Sequence, residues 1–381
     1  MAQVVSTATG MADLFGGVFR GRRMFMTGHT GFKGSWLSLW LTEMGAEVTG
    51  FALAPPTTPS LFELTGIEGR LARHIVGDVR DRDVLVAAMV AAKPDIAIHM
   101  AAQPLVRLSY EQPVETFAAN VMGTVHFFEA VRATDSARVA INVTSDKCYE
   151  NREWERAYRE DDAMGGFDPY SASKGCSELV TAAYRRSFLG TDSGVRVASV
   201  RAGNVIGGGD WAADRIVPDC IRALTAGKPV IVRNPDAVRP WQHVLEPLSG
   251  YLLLAQRLWE DADPTLADGW NFGPVAEGGV PVGELVDGLV SSWGSGSWET
   301  PELAEQPHEA NLLRLDCTKA QERLGWLPQW DVATTLDRTA KWYAAWHADS
   351  GSAATASIDD LNNYVDAARA AGSAWARKED L

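Results

Sequence analysis

The chain has 381 residues, 46% of them hydrophobic, and its 35 lysines and arginines against 49 aspartates and glutamates leave a formal net charge of -14. That length carries a large core and suits one big α/β domain with a smaller one appended or interleaved. The acidic balance, with a pI near 5.0, argues against broad nucleic-acid binding, so an anionic ligand would be met by a few placed arginines.

In chain order, apolar residues around Met11 and Phe15 are interrupted by Asp13 and have no basic segment before them, which does not make a secretion signal. The run 22–27 predicts a first strand. It ends in Gly28-His29-Thr30-Gly31-Phe32-Lys33-Gly34, and an amphipathic helix is predicted over 35–44. Gly28, Gly31 and Gly34 permit a tight turn, close approach of a pyrophosphate to backbone N–H groups, and close helix-on-strand packing.

Further strands are predicted over 47–53, 73–77, 95–100, 138–144 and 195–201, with helices over 82–92 and 114–133 between them. Alternating strands and helices imply an α/β fold with a Rossmann-type doubly wound parallel sheet. Ligands of such a sheet bind at the carboxyl ends of the strands. Gly28, Asp78, Val79, Ala101, Ala102, Gln103 and the cluster Thr144-Ser145-Asp146-Lys147 all fall there.

Tyr170 and Lys174, in Asp168-Pro169-Tyr170-Ser171-Ala172-Ser173-Lys174, are one helical turn apart. A phenol is a poor base at neutral pH, but an ammonium at i+4 favours the phenolate and lowers its pKa. Alone, the pair is also an ordinary helix-surface pair. Its position after a glycine turn and four more strands makes it a candidate for redox chemistry.

The βα rhythm stops near residue 200, where Gly207-Gly208-Gly209-Asp210-Trp211 opens a region of short helices, prolines and tryptophans. The expected organisation is therefore a cofactor-binding domain over 1–200, its sheet completed by later segments. A mainly substrate-binding domain over 201–348 and a C-terminal helix or tail over 349–381 would follow, with Ala-rich helical character at 358–376. The four cysteines, at 148, 176, 220 and 317, lack paired metal-ligand spacing. No metal site is expected, and reduced thiols suit a cytosolic protein. No stretch is long and apolar enough to span a bilayer.

Taken together, the glycine turn, Asp78, His99-Met100-Ala101-Ala102, Asn120, Ser145 and Tyr170/Lys174 resemble the extended short-chain dehydrogenase/reductase family over most of the chain. The segments 28–36, 55–63, 144–149, 201–211 and 239–244 are similar to its CDP-D-glucose 4,6-dehydratase branch in particular.

That resemblance implies NAD as cofactor and CDP-glucose as substrate. The implied reaction is oxidation at C4, with Tyr170 taking the hydroxyl proton, then loss of water across C5 and C6, then return of the hydride to C6. Asp146 matches the acid for the departing hydroxyl, and Lys147 stands where related dTDP-glucose enzymes have a glutamate base. A lysine serves as base only when a fraction is neutral, which burial or nearby positive charge favours. Ser145 would align the 4-oxygen with Tyr170; Thr144 stands in for it if the strand register differs by one. The bland alternatives are a local Asp146–Lys147 ion pair and a turn hydroxyl.

Among the cofactor candidates, His29, Thr30, Phe32 and Lys33 lie in the glycine loop. Asp78 would accept from the adenine amino group or cap the helix that follows. Asn120, in mid-helix, would hold the catalytic lysine or a water, or make a packed polar contact. Asn204, Arg215 and Arg239 are candidates for the substrate diphosphate and nucleotide, and Trp211 and Trp241 for stacking on the base unless they are core. No acidic residue for the adenosine ribose occurs at Gly50-Phe51-Ala52-Leu53-Ala54, and Lys33 leaves NADP open. A homodimer through the helices around Asn120 and Tyr170 is expected, with no nucleic-acid or membrane partner.

Overall fold

In the computed structural model, residues 10–190, 193–261, 263–274, 279–300 and 312–377 are described. Seven strands form one parallel sheet: β1 Arg23–Thr27, β2 Glu47–Ala52, β3 Arg73–Val76, β4 Ile96–His99, β5 Val139–Val143, β6 Arg196–Ala202 and β7 Gly269–Phe272. Their spatial order is β7-β6-β5-β4-β1-β2-β3. The crossover between β3 and β4 puts the carboxyl ends of β1 and β4 side by side, the place where ligands of such sheets bind. Strands β1 to β6 lie within one or two residues of the expected runs, and β7 comes from beyond residue 200.

Both faces of the sheet are covered, so its strands read as continuous apolar runs rather than alternating ones. Their period of two still sorts them into two cores. Met24, Met26, Ile96, Ile98, Ile141 and Val200 enter one, while Phe25, Ala97, Ala140 and Val197 enter the other. Against the first core lie α1 (Phe32–Glu43) and, later in the chain, the helix Leu245–Glu260. Against the second lie α2 (Arg82–Ala92), α3 (Gly123–Arg132) and α4 (Pro169–Ser187).

The cap of α2 is Asp81, whose carboxylate accepts from Val84 N at 3.2 Å. Asp78 does not cap α2 itself, but its Oδ1 accepts from Arg80 N at 2.9 Å in the turn just before it. The start of α4 follows a plain signal: Pro169 in the first turn and Asp168 accepting from Ser171 N at 2.9 Å.

The single helix expected over 114–133 is broken. Short helices Val106–Glu111 and Pro113–Phe117 lead into a π-helical turn, Ala118–Met122, before α3 begins. Such turns insert one residue and commonly sit at functional positions. Here the turn carries Asn120, which is buried.

Among the C-terminal elements are α5 (Leu245–Glu260), α6 (Val282–Trp293), α7 (Val332–Ala348) and α8 (Ala353–Ala370). The last begins five residues before the expected start at 358 and is docked rather than loose. Leu361, Tyr364 and Val365 are buried, and Trp375 beyond it stacks on Phe15 at 4.9 Å. Buried Glu246 on α5 accepts from the backbone N–H groups of Gln329 and Trp330 and from the Tyr364 hydroxyl, at 2.8–2.9 Å.

Candidate active site

The turn from β1 to α1 is pressed onto the end of β4. Gly28 has φ +76°, and a Cβ there would lie 2.6 Å from Ala101 N; a Cβ at Gly34 would lie 2.1 Å from the Gly28 carbonyl oxygen. Neither position tolerates a side chain. At Gly31, which precedes α1, no side chain caps the helix. The first-turn N–H groups and the positive end of the helix dipole therefore suit a pyrophosphate. Thr27 Oγ1 shares a 2.7 Å hydrogen bond with His99 Nδ1 and accepts from Met100 N and Ala101 N, which ties the two strand ends together.

Three residues of the loop behave differently from a generic glycine turn. Thr30 donates to the Leu53 carbonyl at 2.9 Å, and Phe32 packs against the core. His29 is fully buried under β2 and shares a 2.7 Å hydrogen bond with His74. Burial, then the neighbouring His74, pushes its pKa down to about 4. Its ring fills the space a side chain at Gly50 would need, 2.4 Å from the Cβ position. His29 therefore points into the protein and not to solvent.

Lys33 turns inward. Its Nζ is 5.7 Å from the centre of the Tyr251 ring. Burial, then the charges of Lys174 and Arg215, lower its pKa to about 7, with Asp146 acting the other way. A side chain spent on the catalytic cluster does not hold a 2′-phosphate, so the argument for NADP from Lys33 falls.

At the other end of the groove, Asp78 forms a bidentate pair with Arg80, with contacts of 2.6 and 2.9 Å to Oδ2. Hydrogen bonding by that guanidinium holds the carboxyl below its usual range. Val79 is buried, and its carbonyl shares a 2.9 Å hydrogen bond with His126 Nδ1. Ala101 and Ala102 are half-buried where the chain leaves β4. Asn120 clasps the backbone of Gln103, accepting from its N–H at 2.8 Å and donating to its carbonyl at 3.1 Å, and also donates to Ser173 Oγ at 2.8 Å. The packed polar contact is therefore the observed role: Asn120 fastens the β4 loop to the Tyr170 helix, bonding Ser173 there rather than Lys174.

The chemistry-bearing groups meet where β5 ends. Ser145 caps a 3-10 turn, Asp146–Cys148, accepting from Lys147 N at 3.2 Å and donating to Asp146 Oδ1 at 3.0 Å. Thr144 faces the opposite way, donating to Glu178 and to the Val200 carbonyl. This fixes the register: Ser145 supplies the hydroxyl of the cluster and Thr144 does not. No salt bridge joins Asp146 to Lys147 among the described residues; Asp146 is buried and Lys147 is half-buried.

Tyr170 and Lys174 are both buried. The expected depression of the phenol pKa by Lys174 is not found. Burial pushes Tyr170 up to about 12, against hydrogen bonding from Ser145 and the charge of Arg215, and Asp146 adds to the rise. Lys174 Nζ donates to the Val143 carbonyl at 3.2 Å, and burial lowers its pKa to about 8. Removal from water disfavours the charged form of each group, and it dominates both shifts.

Of the substrate candidates, Arg215 faces this cluster. Its Nη1 donates to Asp210 Oδ2 at 2.8 Å, and its charge acts on both Tyr170 and Lys33. Arg239 is buried and donates to the Val238 carbonyl at 3.0 Å. Asn204 is half-buried; its carbonyl accepts from Gln242 N at 3.1 Å. The tryptophans have structural partners instead of a free stacking face. Trp241 is buried with Nε1 on the Val280 carbonyl at 3.0 Å, and Trp211 packs edge-on against Trp342, Tyr343 and Trp346.

Sequence reading missed Glu178, Arg201 and Tyr251 around this cluster. Glu178 carried a signal, standing at i+4 from Lys174; Tyr251, on α5, carried none. Among the described residues no group of three His, Cys, Asp or Glu side chains could hold a metal ion. Among the same residues no helix is long and apolar enough to cross a membrane.

The GDP-mannose 4,6 dehydratase family matches residues 25–339. The chain is 54% identical over 332 residues to a CDP-glucose 4,6-dehydratase of Salmonella typhimurium, covering 86% of this chain and 92% of that protein. It is 28% identical over 329 residues to a dTDP-glucose 4,6-dehydratase of Streptomyces antibioticus, covering 84% and 92%. Among solved structures, the dTDP-glucose 4,6-dehydratase of Streptomyces venezuelae with NAD bound superposes with a TM-score of 0.72 at 24% identity, covering 84% of this chain and 97% of that one. A UDP-glucuronic acid 4-epimerase of Bacillus cereus superposes equally well, TM-score 0.72 at 20% identity, covering 84% and 98%. The fold is thus shared by dehydratases and epimerases, and by sequence the chain belongs to the GDP-mannose 4,6 dehydratase family.

Proposed function

We propose that the chain is a CDP-glucose 4,6-dehydratase, a hydro-lyase that converts CDP-D-glucose to CDP-4-keto-6-deoxy-D-glucose and water with NAD. The observation that carries this reading is the gathering of Asp146 with Ser145, Tyr170 and Lys174 in one buried cluster. A 4-epimerase needs a base at O4 only, whereas elimination also needs an acid at O6 and a base at C5. The likeness to the Salmonella protein supports the choice of base, and the uncapped glycine turn of α1 suits the cofactor diphosphate.

NAD, when bound, supplies the two-electron acceptor and donor that oxidation at C4 and reduction at C6 require. Gly28 to Gly34 hold its diphosphate, with Asp78, Val79, Ala101, Ala102 and Gln103 along the groove. Tyr170 takes the proton of the 4-hydroxyl while Ser145 orients that oxygen. Lys174 stays charged beside the phenolate and offsets its burial. Lys147 takes the C5 proton, made acidic by the neighbouring ketone, and later returns it. Asp146 gives its proton to the departing O6, so that water leaves. Arg215, Arg239 and Asn204 meet the nucleotide diphosphate. The chain acts as a cytoplasmic homodimer; exposed Val114, Met122 and Leu179 on the helices near Asn120 and Tyr170 support that face.

Feeding CDP-glucose deuterated at C4 tests the reading. A 4-keto product lighter by one water, with deuterium at C6, is expected. Deuterium retained at C4 in an epimerised sugar would make the chain an epimerase.

A further inference from the structure

Behind the catalytic helix lies a buried carboxylate that the reaction above does not use. Glu178 is one turn beyond Lys174 on α4, and its side chain is 5% exposed. One oxygen accepts from Thr144 Oγ1; the other accepts from Ser199 Oγ at 2.6 Å and Arg201 Nη2 at 2.9 Å. Arg201 in turn donates to the Tyr149 hydroxyl at 2.7 Å and to the Glu160 carbonyl at 3.0 Å. One side chain thus joins α4, the end of β5 and the middle of β6.

Two features separate this from ordinary core satisfaction. The residue held by Glu178 is Thr144, and the next three are Ser145, Asp146 and Lys147. Pinning Thr144 away from the groove is what sends the Ser145 hydroxyl toward Asp146, because adjacent residues leave an extended backbone on opposite sides. The carboxylate also faces Lys174, whose Nζ bonds Val143, the residue before Thr144.

We propose that Glu178 is a positioning residue for the dehydration: through Thr144 it sets the orientation of the 145–147 turn, and through its charge it keeps Lys174 protonated beside Tyr170. This rests on the dehydratase reading for its kinetic part only. The charges around Lys174 make the electrostatic part specific. Lys33 from α1, its pKa lowered to about 7, is only partly charged at neutral pH and adds no anion, and His99 from β4 is held neutral by burial, its pKa near 3. Tyr170 and Cys148 are uncharged at neutral pH, their pKa values pushed up by burial. Glu178 is therefore the near anion on the lysine, first among the groups raising its proton affinity against burial. Burial alone would raise the Glu178 pKa, but the Arg201 guanidinium and the three hydrogen bonds hold it below the usual range.

The test pairs two variants of the full chain. Glu178→Gln removes the charge and keeps the volume; Thr144→Val removes the tie and keeps the charge. Lysine methylation by formaldehyde and cyanoborohydride, read at Lys174 by mass spectrometry in protein free of cofactor and substrate, follows the neutral amine. Glu178→Gln should raise Lys174 labelling at pH 7 by about fivefold, as expected for a fall of one pKa unit, and Thr144→Val should leave it within twofold. With CDP-glucose, Thr144→Val should lower kcat by about tenfold with KM within twofold, because a turn out of register loses transition-state contacts rather than substrate affinity. Equal Lys174 labelling in wild type and Glu178→Gln would overturn the electrostatic role, and wild-type kcat in Thr144→Val would overturn the positioning role. If Glu178→Gln does not fold, Glu178→Gln with Arg201→Met removes the whole ion pair without leaving a buried charge, and the same labelling comparison decides. Labelling needs no sugar. Wild-type protein inactive on every nucleotide sugar would sink the dehydratase reading and leave that comparison standing.

Discussion

The Ser145 hydroxyl donates to one oxygen of Asp146 at 3.0 Å, while the other, Oδ2, is buried with no hydrogen-bond partner among the described residues. A buried carboxyl oxygen left unpaired is costly, and such groups persist where a ligand completes them. The position suits a hydroxyl leaving from C6. Asp146→Asn keeps the shape and loses the acid. It should cut water release by at least ~100-fold, the scale of a lost general acid. Rapid-quench analysis should then find a 4-keto sugar still bearing its 6-hydroxyl; full-rate dehydration by this variant would remove Asp146 from the acid role.

Oxidation and elimination should separate by mutation on the other side of the sugar as well. Tyr170→Phe should abolish the rise in absorbance of enzyme-bound NADH when CDP-glucose is added, a loss of ~1,000-fold or more for removing the base of the first step. Lys147→Ala should keep that signal and lose product. Equal loss of both steps in both variants would contradict the division of roles.

The pH dependence follows from the two buried groups. Catalysis needs Tyr170 deprotonated in the transition state, and its phenol is pushed up to about 12 in the free protein, so kcat/KM should rise with pH through the neutral range. Lys174, lowered to about 8, loses its proton as pH climbs through that value, and the rise should turn over there. The descending limb should vanish in Lys174→Met, whose overall activity is low. A flat profile between pH 6 and 9 in wild type would contradict the pairing.

Much of this was legible from local pattern. The glycine turn, six of the seven strands and the Asp168-Pro169 start of the catalytic helix are signals a few residues long, and they hold. Others were lost because burial is a property of the fold. The Tyr170 pKa follows desolvation and not the i+4 ammonium, and Lys33 turns inward toward Tyr251, a residue more than two hundred positions away. Trp211 and Trp241 are claimed by Trp342 and Val280 from the C-terminal half. Period alone also missed the π turn, because the signal at 114–133 is helical on either side of it.

The docking of the C-terminal helix should depend on pH. Burial raises the Glu246 pKa to about 7, above that of the unfolded carboxyl. The folded protein therefore binds a proton that the unfolded chain has released. The stabilisation is fully present below about pH 4 and is lost as pH rises through about 7. Between pH 6 and 8, Tm should fall by about 1–2 °C, and by less in Glu246→Gln. A Tm that climbs over this range in wild type and variant alike would place the pH dependence elsewhere.

Trp375 fixes the same region by packing. It stacks on Phe15 and lies edge-on to Trp40 at 5.9 Å, so Trp375→Ala should cost about 3–5 kcal/mol in denaturant unfolding, as for other buried large aromatics. A cost below ~1 kcal/mol would mean that the terminal segment leaves the core freely.

One incubation reads the reaction and its nucleotide together. Purified protein supplied with catalytic NAD and, in parallel, CDP-, dTDP-, UDP- and GDP-glucose should release a product lighter by one water from the CDP sugar alone. Epimerisation, net NADH release, or equal dehydration of all four sugars would contradict the proposed reaction and nucleotide.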